Sequence, residues 1–187
     1  TVIVYWQTLS VLLLLASAAV LLVRGHASRR LAGIAIVLLL AFLPLGDTNA
    51  WLWLKGMVGS LSVVSAALLA NYLITSLTGR VLADKPSRKA LYTVVLLAGL
   101  LLYPATLGLS LYDPYRLGYG LVVALAVLAV ALAAWFCGRQ AAAVVLAVVV
   151  LADQAGVSAS VNTWDYLVDP LVWLVSPVML VRLHLRA

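Results

Sequence analysis

Asp165 and Asp169 stand four residues apart, a spacing that sets two side chains one turn apart on one face of a helix. Two carboxylates that close resist joint ionisation, so they would share a proton, bind a cation or pair with a base, for which Arg116 and Lys55 are the candidates. Asp165 has a plainer alternative as the cap of the helix that follows, a role that Asn162 and Thr163 also suit. Asp169 lies a turn into an apolar segment and precedes Pro170. An acid at such depth is costly, so function or a buried ion pair is expected of it, with a kink-associated structural role as the alternative.

Three connections share one chemistry. Residues 46–51 hold Asp47, Asn49 and Trp51; residues 112–116 hold Asp113, Tyr115 and Arg116; residues 162–166, with Asp169 just beyond, hold Asn162, Trp164 and Asp165. Each supplies a carboxylate, an aromatic ring and a neighbouring amide, hydroxyl or guanidinium. Brought together, and joined by Asp153 from the preceding apolar run, they would form a polar pocket able to stack on sugar faces and accept hydroxyl hydrogens. Ordinary turn chemistry is the plainer role for Asp47 after Gly46 and Asp113 before Pro114, as snorkelling is for Lys55.

Other chemistries find little to work with. There is no Gly-rich phosphate loop, HExxH or GxSxG, and the serines have no histidine beside them on the aspartate-rich side. The lone Cys137 excludes an internal disulfide and a cysteine-rich metal or iron–sulfur site. His26 and His184 read as interfacial positive groups rather than haem ligands. No metal site, cofactor or nucleic-acid partner is expected.

The elements that must position these residues follow from composition. Of 187 residues, 66% are apolar and 10% charged, and the mean hydropathy is +1.16, far from an ordinary soluble domain. The expected fold is all-α: a polytopic transmembrane helical bundle. Apolar runs cover residues 2–23, 31–45, 57–77, 90–110, 117–136, 141–152 and 166–181. Charges follow the first run instead of preceding it, so a retained span is expected rather than a signal peptide. The second run is short, and the sixth must continue through Asp153 and Gln154 toward Ser158 to cross. The third is rich in serine, with Asn71 and Thr75, and reads as a central helix. Ala126, Ala129 and Ala133 share one face of the fifth and predict close approach of a neighbour there. The last, broken by Pro170 and Pro177, is either a kinked seventh span or a re-entrant segment that leaves six. No linker or repeat divides the chain, so residues 1–187 read as a single integral membrane domain.

Alternate loops carry ten basic residues (Arg24, Arg29, Arg30, Arg80, Lys85, Arg88, Lys89, Arg139, Arg182 and Arg186) against two, Lys55 and Arg116. The positive-inside rule places the larger set in the cytoplasm, with the amino end outside and the carboxyl end inside, which favours seven crossings. Five of the six aspartates then fall outside, a net of −3 there and +9 within. Aromatic residues crowd the same outer side, beyond what a belt at both interfaces accounts for.

The expected function is a binding or accessory subunit, in homo- or hetero-oligomeric assembly among membrane lipids, for a lipid-linked or sugar-containing ligand. Very short loops suggest a bacterial inner (cytoplasmic) membrane. A small proton-coupled transporter using Asp169 and the polar third helix is one alternative. A membrane-embedded transferase on a lipid carrier is another, with outer aspartates as base or metal ligands and Arg116 on a phosphate.

Overall fold

Helices form over most of the apolar runs, but they stop where the backbone requires it and not where hydropathy falls. The computed structural model describes residues 2–109 and 112–185; Ser110, at the expected end of the fourth run, and Arg186, one of the basic set, lie outside the described residues. In chain order the elements are α1 (Val2–Leu22), α2 (Ala27–Ala41), strands β1 (Pro44–Leu45) and β2 (Thr48–Asn49), α3 (Ala50–Val58), α4 (Val63–Thr78) and α5 (Lys85–Thr106). A 3-10 segment (Pro114–Tyr119) leads to α6 (Leu121–Phe136), α7 (Gln140–Gln154), the short α8 (Thr163–Leu167) and α9 (Pro170–Leu185). The two strands pair antiparallel, Pro44 opposite Asn49 and Leu45 opposite Thr48.

Among the described residues, α1 and α5, of 21 and 22 residues, are long and apolar enough to cross a membrane. The helices α4, α6, α7 and α9 are apolar but only 15 or 16 residues long. At 1.5 Å per residue that is roughly 23 Å, against a hydrocarbon core about 30 Å thick. The sixth run does not continue to Ser158: α7 ends at Gln154.

Several runs expected to be continuous are broken: that at 31–45 leaves α2 at Ala41 and ends in β1, and that at 117–136 begins in the 3-10 segment and restarts as α6 after extended Gly120. Gly59, at φ 60° and ψ −124°, closes α3, and α4 starts afresh at Val63, so the run at 57–77 is the end of one helix and most of another. Only glycine adopts that conformation without strain. In the last segment Val168 is extended and ends α8, and Pro170, which disfavours helical geometry at Asp169 before it, starts α9 afresh. Asp165 and Asp169 therefore do not share a helical face: one lies in α8, the other ahead of α9.

Contacts group the chain into two units, Thr1–Leu61 with Ala66–Leu82, and Ser62–Ser65 with Ala83–Ala187. In the first, α1 packs on α2 and α3. The Trp6 indole donates to the Leu61 carbonyl (3.0 Å), and the buried Ser10 hydroxyl accepts from the Leu61 amide (3.0 Å), fixing the chain after α3 against α1. The Arg30 guanidinium donates to the Ser76 carbonyl, and the buried Asn71 amide oxygen accepts from Leu82 N. In the second unit α5 packs on α9, and α6 on α7, which also meets α5 and α8. Leu91, Val95, Leu146 and Val149 are fully buried there. Trp173 of α9 lies directly on Gly99 of α5, where any side chain would displace it, and its ring meets Tyr103 at 4.5 Å.

The small-residue face of α6 behaves differently from expectation. The residues it buries are Val123, Ala124, Val127, Ala131 and Ala134, whereas Ala126, Ala129 and Ala133 are exposed. Small residues permit close approach, but no helix of this unit takes the place.

Candidate functional site

The second unit draws two of the three connections into one hydrogen-bonded knot. Asn162, which is fully buried, caps α8 by accepting from Trp164 N (3.0 Å) and donates its amide to the Tyr115 carbonyl (3.0 Å). The Trp164 indole donates to the Pro114 carbonyl (3.1 Å), so the 3-10 segment is clamped to α8 at two points. Asp165, in the first turn of α8, accepts on one oxygen from the Tyr115 phenol (2.8 Å) and the Ser160 hydroxyl (2.5 Å). Asp113 turns the chain into the 3-10 segment by accepting from Tyr115 N (3.0 Å). On the α7 side Asp153 accepts from the Thr163 hydroxyl (2.6 Å). The Tyr166 phenol accepts from Ser158 N (3.1 Å) and donates to the Ser160 carbonyl (3.0 Å).

Asp169 sits apart from this knot, buried among backbone donors. One carboxylate oxygen accepts from Val172 N (2.9 Å), at the third position of α9, with Pro170 at the first; this is helix capping. The other accepts from Ser62 N (2.9 Å), while the Ser62 hydroxyl accepts from Ser65 N at the start of α4. One carboxylate thus holds the beginnings of two helices.

Asp47, Asn49 and Trp51 belong to the first unit. Asp47 is exposed in the turn between β1 and β2, Asn49 caps α3 by accepting from Leu52 N (3.0 Å), and Trp51 stacks on Phe42 at 5.2 Å. Among the described residues, no group of three or more His, Cys, Asp or Glu is arranged to hold a metal ion. Arg116 is exposed beside the knot.

The knot's polar groups largely satisfy one another, so it closes one end of the unit while leaving Arg116, Tyr119 and one edge of Asp113 facing out. Burial, reinforced by the hydrogen bond to Asp165, pushes the Tyr115 phenol above its ordinary 10.0. A raised value means the protonated phenol favours the fold; that contribution is intact below pH 10 and fades as pH rises through the shifted value. Above pH 10 the wild type should therefore lose more stability than Tyr115→Phe, measured as the difference between their alkaline unfolding curves. Equal losses would remove the phenol from the knot's energetics.

Beneath the knot lies a groove that the sequence did not announce. Ala90, Thr93, Val94, Leu97, Ala98 and Leu101 form one stripe of α5, and facing them on α6 are Val122, Val123, Ala126, Val127, Val130 and Ala133. Its half nearest the knot has a volume of about 400 Å³ and is bounded by the buried Trp164 and by Leu117. Leu97, Leu101 and Val122 on its rim are 61%, 52% and 60% exposed, so it opens sideways between the two helices. The signal was present as helical spacing at 90, 93, 94, 97, 98 and 101, but such a stripe reads equally as a packed seam. No family model, curated protein or solved structure matches the chain, so what the site does must come from its own geometry.

Proposed function

We infer that the chain is an integral membrane protein of seven crossings, amino end outside and carboxyl end in the cytoplasm, serving as a binding or accessory subunit for a lipid-linked ligand. Its apolar surface supports the membrane: Leu39, Leu97, Leu125, Leu132, Leu151 and Leu174 are all more than half exposed, as lipid-facing side chains are. Crossings of 15 or 16 residues are accommodated by local thinning and by flanking residues.

The observation that carries the binding role is the sideways-open apolar groove ending at a polar, aromatic knot. A polyprenyl or acyl chain entering from the bilayer would lie along α5 and α6 beneath Trp164, its polar head meeting Arg116, Asp113 and Tyr119. A carrier would instead need Asp169 free to exchange protons, whereas its two oxygens receive backbone amides. A transferase would need its aspartates free for a base or metal role, whereas Asp113, Asp153 and Asp165 already accept from Tyr115 N, the Thr163 hydroxyl and the Tyr115 phenol.

Polyprenyl phosphate binding to the full chain in phosphatidylcholine nanodiscs tests the reading. Ala126→Leu, filling the groove, and Arg116→Ala, removing the guanidinium, should each weaken binding about tenfold, the loss of one charge-assisted contact or one chain position. Undiminished binding in both, or none in the wild type, would remove the reading's basis. Orientation is tested separately: a cysteine at Asp113 should react with impermeant reagent from outside, and Cys137 from within.

A further inference from the structure

The groove has a second half, and its chemistry is different. Beyond Val94 it continues as a cavity of about 420 Å³ reaching Lys89, Cys137 and Arg139. Val94, Val130 and Leu146 line both halves and lie near the midpoints of α5, α6 and α7, so the two cavities are one trench crossing the unit. Only apolar side chains line the half near Trp164, whereas the far half ends at two cations with no carboxylate among its lining residues.

We propose that this basic half is a site for an anionic phospholipid of the adjacent leaflet, its phosphate held by Lys89 and Arg139 and one acyl chain lying between α5 and α6 toward Val94. The proposal rests on the membrane reading above but not on the polyprenyl ligand, which would occupy the other half. Charge complementarity selects the occupant. A guanidinium offers a phosphate two parallel donors and the ammonium adds a point charge. Arg139 stands at the start of α7, a 15-residue helix whose first turn has no side-chain cap at this position, so unpaired amides and the helix dipole also favour an anion. The slot exists because its walls are small: Ala90 on α5, Ala133 and Ala134 on α6. Along α5 the trench runs from Lys89 to Leu101, about 18 Å at 1.5 Å per residue, somewhat more than one leaflet's apolar depth of roughly 15 Å.

The chain carries its own reporter, since Cys137, its one cysteine, is exposed and lines this half. The full chain would be reconstituted in phosphatidylcholine vesicles with or without phosphatidylglycerol, and maleimide reaction at Cys137 timed. Phosphatidylglycerol should slow it on the order of tenfold, given two basic contacts to the headgroup. The ratio should fall to near one in Lys89→Gln/Arg139→Gln and persist in Arg24→Gln/Arg29→Gln, which removes equal charge from the first unit. Equal rates in both lipids, or slowing that survives the Lys89/Arg139 double change, would overturn the site. So would bis-maleimide cross-linking of Cys137 to a second copy regardless of lipid, which would make a neighbouring chain the occupant. A protein that does not float with either vesicle fails the membrane reading and takes this site with it; one that floats without a lipid effect fails the site alone.

Discussion

Replacing Asp169 by alanine should destabilise the protein by on the order of 3–5 kcal/mol, a large share of a typical total stability of 5–15 kcal/mol. The carboxylate is buried and accepts from two backbone amides, Ser62 N and Val172 N, each at 2.9 Å. Alanine orphans both donors away from solvent, at about 1–3 kcal/mol apiece, and the loss at Val172 is also the loss of a helix cap, ordinarily about 1 kcal/mol. Asp169→Asn keeps one acceptor oxygen but turns an amide NH₂ toward the other donor, so its cost should be intermediate. Unfolding in detergent gives the order wild type, Asn, Ala, and hydrogen exchange should speed up first at Ser62 and Val172. If Asp169→Asn were as stable as wild type while proton-coupled flux in vesicles was lost, Asp169 would be the titrating group of a carrier and not a cap.

That position shows where the sequence was legible and where it was not. Asp followed by Pro is a helix-start signature, because proline suits the first helical position and aspartate the cap before it. Hydropathy saw instead an acid one turn inside an apolar run. The same blindness fused α3 with α4: apolar counting does not register that Gly59 has φ 60° and that Ser62 opens a new helix by accepting from Ser65 N. Helical character was readable from composition throughout, since long apolar runs without turn residues have few other folds. Helix lengths were not, because caps and glycines set them.

The site divides along a similar line. Residues 112–116 and 162–166 have the polar groups to form a knot, but which donor meets which acceptor depends on the clamp between Pro114, Tyr115, Asn162 and Trp164, a long-range pairing no local pattern encodes. Ser160 belongs to no motif, although its hydroxyl both accepts from Asn162 N and donates to Asp165. The groove was hidden for a different reason. Ala126, Ala129 and Ala133 at helical spacing allow a neighbour to come close, but whether one does is decided elsewhere, and in this unit α7 packs on the other face of α6.

Gly118→Ala should cost about 3–5 kcal/mol, while Gly120→Ala, two positions on, should change stability by no more than about 0.5 kcal/mol. A Cβ on Gly118 would overlap the Asn162 amide oxygen and lie 2.8 Å from Asn162 Cγ and 2.6 Å from Trp164 Cδ1; at Gly120 it would meet nothing within 4 Å. Neither neighbour of Gly118 can yield cheaply. Asn162 is held by its bonds to Trp164 N and the Tyr115 carbonyl, and the Trp164 indole by the Pro114 carbonyl, so relieving the overlap breaks hydrogen bonds worth about 1 kcal/mol each besides the overpacking strain. Trimming the obstacle should then help: Gly118→Ala/Asn162→Ala should be less destabilised than the sum of the single changes, a coupling that double-mutant analysis reads directly. Strict additivity would show that the 3-10 segment and α8 do not press on each other through this glycine. Because Trp164 also bounds the groove, the Gly118 variant should, on the reading proposed above, lose polyprenyl phosphate binding in parallel with a shifted tryptophan signal, whereas the Gly120 variant keeps both.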